Sequence, residues 1–303
     1  MRRSSMSEKV CAVIVTYNRK ELLRECLKAV LGQTRPPNHV LVVDNASTDG
    51  TLEMLREEFP EAEVLHLPRN LGGAGGYKAG MAHAHSGAPE VWLWLMDDDT
   101  IPEKEALAAL LRAKDTFERI KGYSPLFLGS ACRWKDGAPH LMNWPGFLKG
   151  ERDFFRLARE GLLPAEHLTF VSLLVHPKVI PQYGLPLEDF FLWGDDTEFV
   201  GRVTSRHKEA VAALVVQSEV LHASQANRRP FEVPPSQIHL YFYEARNRVW
   251  LAKRLPNAQA RLYHLAALGV NTLRFLKRNL LRPRAWAAAL LGVWAGVLTA
   301  PRE

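Results

Sequence analysis

Cysteine is scarce, with three in 303 residues (Cys11, Cys26, Cys132), and no two of them are spaced as a CxxC pair. An odd, scattered set supplies no complete disulfide framework, so the three read as small buried hydrophobes of a reducing compartment. Long apolar runs are missing too. The N-terminal stretch carries Arg2 and Arg3, but the apolar run behind it (residues 10–15) is too short for a secretory signal and reads as a first strand. The expectation is therefore a chain that is not exported. No internal repeat and no low-complexity segment stands out. Neither GxGxxG followed by an acid nor GxxxxGK[ST] is present, so a dinucleotide fold and a P-loop gain no support.

What is present is an ordinary globular composition, 47% hydrophobic and 24% charged, with a formal net charge of +6. The charge is uneven. Residues 246–303 hold eleven Lys/Arg and one acid, which leaves the preceding residues at about −4. A basic protein can signal nucleic acid, but here the basic part is the tail, which favours an anionic membrane surface over nucleic acid. The plain alternative is a solvated basic helix pair.

The first 100 residues alternate strand and helix patterns. Continuous apolar runs at 10–15, 40–43 and 91–96, with a weaker one at 62–67, read as strands, the continuous ones as covered on both faces. Between them Leu22, Leu23, Cys26, Leu27 and Val30 recur at helical spacing after Asn18, a candidate cap. Ser47 or Thr48 precedes a second helix through Leu52 and Leu55, a Gly-rich turn precedes a third at 74–85, and Pro102 falls where a fourth should begin. Such an order implies an α/β fold with a mostly parallel central sheet and right-handed crossovers. Ligands of such sheets bind beyond the carboxyl ends of the strands. Residues 16–19, 44–50, 69–76 and 97–99 all fall on that rim.

Their chemistry is consistent. Asp97-Asp98-Asp99 are adjacent carboxylates that raise one another's pKa unless a cation neutralises them. Hard oxygen ligands of this kind suit Mg²⁺ or Mn²⁺ holding a diphosphate; the bland alternative is an acidic helix cap. In Asp44-Asn-Ala-Ser-Thr-Asp-Gly50 an aspartate could accept from a base imide or a ribose hydroxyl, or the segment could be turn chemistry alone. Arg69-Asn-Leu-Gly-Gly-Ala-Gly-Gly76 joins a cation to backbone free to approach phosphate or sugar.

Taken together, Val13-Ile-Val-Thr-Tyr-Asn-Arg19, Val42-Val-Asp-Asn-Ala-Ser-Thr-Asp-Gly50, the Arg69–Gly76 segment and Leu95-Met-Asp-Asp-Asp-Thr-Ile-Pro102 resemble the family 2 glycosyltransferases of the GT-A fold. The resemblance covers about residues 9–225 and implies a nucleotide-diphosphate-sugar donor, UDP- or dTDP-linked. It implies that Thr16, Tyr17 and Asp44 border the nucleoside, with Asn18, Arg69, Asn70, Gly72, Gly73 and Asp98 also on the donor. It implies Asp97 and Asp99 as metal ligands, Asp99 the firmest, joined by His222; a lone histidine is otherwise more often structural. Phe190-Phe-Leu-Trp-Gly-Asp-Asp-Thr-Glu-Phe-Val-Gly-Arg202 matches the family's later acidic motif, which implies Asp196 as the general base, with Asp195 second, in an inverting transfer. Capping of a helix at 197–205 is the structural alternative, and it fits Asp195 better.

Within the family the chain looks most like bacterial galactofuranosyltransferases, then envelope rhamnosyltransferases. It differs from the former in lacking a long β-rich N-terminal extension and in reading Trp-Gly-Asp-Asp where the aromatic normally abuts the acids. The division expected is a catalytic domain over residues 1–237 and a helical C-terminal region over 238–303. In that region Leu262, Leu265, Ala266, Gly269, Leu273, Leu276 and Leu280 form one stripe, away from Arg261, His264, Asn271, Arg274 and Arg278. Residues 285–300 follow without a charge, sixteen against the roughly 20 apolar residues a spanning helix needs. The expectation is a cytoplasmic enzyme peripheral on the inner face of the membrane, acting on a glycan or polyprenyl-linked acceptor; packing of these helices on the protein is the alternative. Arg246-Asn247 resembles a motif that follows the catalytic domain in envelope glycosyltransferases. Two other classes remain to be weighed: a sugar-1-phosphate nucleotidyltransferase, which would want a Gly-rich basic loop directly after the first strand, and a membrane-docked nucleotide-sugar-binding protein without activity.

Overall fold

The computed structural model describes residues 8–255 and 258–302, so Arg2, Arg3 and Glu303 lie outside the described residues. The strands are β1 (Val10–Thr16), β2 (His39–Asp44), β3 (Glu63–His66), β4 (Trp92–Asp97), β5 (Thr100–Pro102), β6 (Phe127–Arg133), β7 (Gly146–Phe147), β8 (Leu162–His167), β9 (Leu173–Val175) and β10 (Ala212–His222). The helices are α1 (Lys20–Leu31), α2 (Thr51–Glu58), α3 (Gly72–Gly87), α4 (Ala106–Lys121), α5 (Phe154–Arg159), α6 (Val179–Tyr183), α7 (Asp195–Thr204), α8 (Tyr241–Arg254), α9 (Ala258–Arg278) and α10 (Pro283–Leu298).

The sheet runs β3-β2-β1-β4-β9-β6-β10-β8-β7, with β5 paired to β10. The first four strands are parallel, and all seven residues of β1 are buried, as a strand covered on both faces requires. Beyond β4 the sheet turns mixed: β9 is antiparallel to both β4 and β6, whereas β6 and β10 are parallel. This α/β sheet with C-terminal helices is the fold class expected. A chain of buried groups crosses the mixed half. Trp94 Nε1 donates to Ser172 Oγ (2.9 Å), which meets Ser130 Oγ (2.6 Å), which meets Ser218 Oγ (2.7 Å), which donates to the Ala106 carbonyl. Each buried hydroxyl thus has a partner, which removes the penalty for burying it.

Several local expectations change. Pro102 does not open a helix: residues 100–102 form β5 against residues 220–222, and α4 starts at Ala106. Asn18 and Ser47/Thr48 do not cap the helices that follow them. Asn18 (φ 53°) accepts from the Thr48 amide at 2.7 Å and donates its own N–H to Ser47 Oγ, tying the two loops together. Asp49 does the capping for both helices, one oxygen accepting the Lys20 amide (3.0 Å) and the other the Thr51 amide (3.2 Å). The Gly-rich segment is not a loose turn but the first turns of α3.

Tight packing explains part of that glycine content. A Cβ on Gly80 would lie 2.6 Å from Val43 Cγ2 and 2.7 Å from Val13 Cγ1, so α3 seats flush on β1 and β2. The C-terminal helices use the same device. Ala285, Ala288, Ala289, Gly292 and Gly296 are the buried face of α10, and Gly292 and Gly296 abut the Phe242 and Arg246 carbonyls of α8. In α9 only His264 and Phe275 are buried; of the predicted stripe, Leu262 and Leu273 are 65–68% exposed whereas Leu276 packs on the cluster of Tyr241 and Phe275, and on α10 Leu290, Leu291, Trp294 and Leu298 are 58–71% exposed. No helix of the described residues is long and apolar enough to cross a membrane.

The flush contact yields a stability prediction. Gly80→Ala, although alanine is the better helix former, is expected to destabilise the protein by about 1–3 kcal/mol through overpacking against Val13 and Val43. Gly87→Ala, where nothing lies within 4 Å, should cost nothing; urea unfolding of both variants beside wild type checks the pair.

Candidate active site

The strand ends and the loops behind them enclose one cleft of about 2080 Å³. Thr16, Tyr17, Asn18, Asn70, Gly72, Gly73, Asp97, Asp98, Asp99, Asp195, Asp196 and His222 all line it. Twelve of the fourteen residues singled out in the sequence are therefore brought together.

The parallel pairing of β1 with β4 sets Val15 opposite Asp97, which puts Thr16 beside the acidic turn. Thr16 Oγ1 donates to Asp98 Oδ2 (2.8 Å), and Tyr77 Oη donates to Asp97 Oδ1 (2.6 Å). Arg19 Nη1 bridges Asp98 Oδ1 (3.2 Å) and Asp99 Oδ2 (2.9 Å). The antiparallel pairing of β5 with β10 places His222 opposite Thr100, and the Ala223 amide donates to the Asp99 carbonyl. His222 is thereby fixed next to a carboxylate 123 positions earlier.

One ligand atom from each of Asp97, Asp99 and His222 lies within 4.8 Å of the others. The imidazole is oriented from behind. Its Nδ1 faces Asn143 Oδ1 at 2.8 Å, and the Asn143 amide nitrogen donates to Thr169 Oγ1, so Nδ1 carries the proton and donates. Its Nε2 then points at Asp99 Oδ1, 3.0 Å away, an oxygen that is buried and has no hydrogen-bond donor. A nitrogen lone pair facing an unpartnered carboxylate oxygen needs a cation between them, either a proton or a metal ion. Two carboxylates and an imidazole suit a small divalent ion.

Electrostatics follow the same geometry. Burial raises the Asp98 carboxyl to about 7 against the pull of Arg19, and burial followed by Asp99 raises Asp97. For Asp99 burial works upward, but His222 and Arg19 outweigh it and hold the group at about 2. For His222 burial works downward, and Asp99 outweighs it, lifting the imidazole to about 10. His140, whose ring centroid lies 4.3 Å from that of His222, is lowered to about 4 by burial and by its charged neighbour.

Across the cleft, Gly194 (φ 86°) turns the chain into α7, whose first two residues are Asp195 and Asp196. Asp195 is buried, and burial, then Asp196 and Asp97, push its carboxyl well above the usual range. Asp196 Oδ1 accepts the Thr197 amide at 2.6 Å, which leaves Oδ2 for another partner.

Two predicted residues stand elsewhere. Asp44 is fully buried and does not line the cleft: it is bound to its cross-strand neighbour His66 (2.7 Å) and accepts the Ser47 amide. Arg69 lines a smaller adjacent cavity of about 330 Å³ with Arg246 and Arg302. Sequence reasoning passed over Arg19, Tyr77 and Asn143. Arg19 stood inside a quoted motif, Tyr77 lies one residue beyond the Gly-rich segment, and Asn143 belongs to none of the motifs.

The sequence profile described as Glycosyl transferase family 2 matches residues 11–120. A glycosyltransferase of Haloferax volcanii, AglE, is 35% identical over 248 residues, 78% of this chain and 75% of that protein. The chain belongs to glycosyl transferase family 2. A galactofuranosyltransferase of Mycolicibacterium smegmatis is 33% identical over 208 residues, 65% of this chain and 66% of that protein, so the match spans just under two thirds of that relative's length. Among solved structures, the mannosyltransferase PcManGT of Pyrobaculum calidifontis, in complex with GDP-Man and Mn²⁺, superposes with a TM-score of 0.56 at 20% identity. It covers 97% of this chain and 78% of that one, a likeness of fold. The aspartate-rich cleft is the candidate active site of this family member.

The Asp99–His222 pair sets a pH dependence for the metal-free enzyme. The histidine contribution is fully present below its ordinary 6.5 and is lost as pH rises through about 10. The aspartate contribution is present above 3.8 and is lost as pH falls through about 2. In EDTA, the stability gap between wild type and His222→Gln, read by urea unfolding, is expected to be widest near pH 6 and to close toward pH 10. A gap that is flat over that range would contradict the pairing.

Proposed function

We propose that this chain is an inverting, metal-dependent glycosyltransferase. It would move a hexose, galactofuranose in first place and rhamnose in second, from a UDP- or dTDP-linked donor to a cell-envelope acceptor. The observation that carries the reading is the convergence of Asp97, Asp99 and His222 within 4.8 Å of one another in the cleft that also holds Asp195 and Asp196. The Mycolicibacterium relative, a galactofuranosyltransferase, supports the sugar.

Asp97, Asp99 and His222 would hold Mn²⁺ or Mg²⁺, which when bound offsets the negative charge of a diphosphate leaving group. Thr16 and Arg19 fix Asp98 at the donor side, and Gly72 and Gly73 let the donor approach the backbone of α3. On the opposite wall, burial pushes the Asp195 carboxyl well above its usual range, whereas Asp196 would keep Oδ2 for the acceptor. Asp196 would take the acceptor hydroxyl's proton as the oxygen attacks the anomeric carbon from the face opposite the departing nucleoside diphosphate.

The deciding assay screens UDP- and dTDP-sugars with the purified protein in Mn²⁺ or EDTA. One donor, UDP-galactofuranose in first place, is expected to turn over with inversion at the anomeric carbon by NMR, and only with metal. Asp196→Asn should lower kcat by about 10²–10⁴-fold, the range for removing a general base, and Asp99→Ala should abolish the metal dependence together with the activity. Turnover that ignores EDTA and both substitutions would mean the site is misassigned.

The acceptor is proposed to be polyprenyl-linked, with residues 238–303 as the membrane-facing region of a cytoplasmic enzyme. The outward apolar faces of α9 and α10 support this, as do the cations beside them: Arg274, Lys277, Arg278, Arg282 and Arg284. Leu291→Glu/Trp294→Glu, a double change on an exposed face, should keep the fold and lose sedimentation with anionic vesicles. Unchanged sedimentation would assign these faces to another surface.

A further inference from the structure

Arg246 and Asn247, on the buried side of α8, take no part in the chemistry above, yet their side chains are spent on one short segment. The loop 190–194, directly before Asp195 and Asp196, holds Phe191 (φ 61°), Trp193 (φ 63°) and Gly194 (φ 86°) in left-handed backbone conformations. Bulky residues avoid that region unless surrounding structure imposes it. Here the imposition is explicit. Arg246 Nη2 donates to the carbonyls of Asp189 (2.6 Å) and Phe190 (2.9 Å). Asn247 Nδ2 donates to those of Phe190 (2.9 Å), Leu192 (2.9 Å) and Trp193 (2.7 Å). The one carbonyl in the run that they leave, Phe191, accepts the Ala74 amide of α3 (3.3 Å). That contact is close because a Cβ on Gly72 would collide with the Phe191 carbonyl.

Every carbonyl from 189 to 193 therefore has a donor. Apart from the Leu192 amide, which donates to Phe190 from within the loop (2.7 Å), the donors come from the Gly-rich start of α3, which lines the donor side of the cleft, and from α8. The Arg246 guanidinium itself lies over the Trp250 ring, its central carbon 4.1 Å from the centroid. The Asp189 carboxylate is also taken, by the Arg302 amide and guanidinium (2.8–3.0 Å).

We propose that Arg246 and Asn247 are positioning residues for the glycosyl transfer. By holding the strained loop 190–194 against α3, they set the Asp195–Asp196 pair at a fixed distance from the donor wall. The inference rests on the reading of that pair as the acceptor-activating carboxylates. It also explains why a helix about 50 residues further along the chain is needed to complete a site on the sheet.

The test uses the full chain with the donor found above. Asn247→Ala is expected to lower kcat by about 10²-fold, the cost of misplacing a reacting group by about 1 Å, while UDP affinity by calorimetry changes by less than about twofold, because the loss falls on the chemical step. Hydrogen exchange in a peptide spanning residues 188–199 should quicken, with the β1 and β4 peptides unchanged. Arg246→Gln, which removes two of the five bonds, should show the same pattern at smaller amplitude, and carries the test if Asn247→Ala does not fold. Equal losses in kcat and UDP affinity, or unchanged exchange at 188–199 with kcat intact, would overturn the proposal. If wild type transfers no sugar from any donor, the glycosyltransferase mechanism falls instead, and the exchange comparison alone still decides whether the two side chains hold the loop.

Discussion

Four carboxylates, those of Asp97, Asp98 and Asp99 on one wall and Asp195 on the other, crowd one cleft, and an unpaired buried charge costs several kcal/mol even after the protein relaxes. The surrounding arrangement answers that cost. Arg19 spans Asp98 and Asp99, Tyr77 donates to Asp97, and His222 faces the remaining Asp99 oxygen. Among the described residues Asp195 has no ion-pair partner of this kind, and burial pushes its carboxyl well above the usual range. The protein's own groups thus leave the negative charge of the cleft only partly compensated.

The neutralising groups come from far apart in the chain, and the sheet is what delivers them. The parallel half brings the ends of β1 and β4 side by side. The mixed half then carries β10 back along β5, so that His222 meets Asp99 across an antiparallel pair. Correct assembly of the second half matters as much as the first, and it is there that the hydroxyls of Ser130, Ser172 and Ser218 link β6, the start of β9 and β10. The wall that carries Asp195 and Asp196 is a third unit. Its loop is held between α3 and α8, and Ala74, Leu187, Phe190, Trp250, Leu251 and Leu255 pack into one apolar cluster across that junction. The C-terminal helices are therefore continuous with the catalytic core on one side while their other faces stay open and apolar.

Several features were legible because they are local. Continuous apolar runs named β1, β2 and β4, helical spacing named α1, and the acidic turn after β4 announced itself because an aspartate triplet has few other uses at the end of a buried strand. Asn18, Ser47 and Pro102 misled for a common reason: each residue type fits a cap or a first turn, but a better partner was available from elsewhere in the fold. Asp49 capped two helices, and β10 recruited residues 100–102 as an edge strand. Asp44 was placed toward the nucleoside by its motif, whereas its strand register puts His66 beside it.

The sequence by itself determined the α/β class and the family, and named the carboxylates and histidine that the fold gathers in one cleft, because strand periodicity and the spacing of short motifs are written in consecutive residues. Only the tertiary structure decided which way those groups face and what holds them. Asn143 behind His222, Arg19 between Asp98 and Asp99, and Asn247 on the carbonyls before Asp195 are each contacts across 50 residues or more. Contacts of that kind depend on strand order and helix docking, which come from the summed burial of the whole core and leave no signature in any local window.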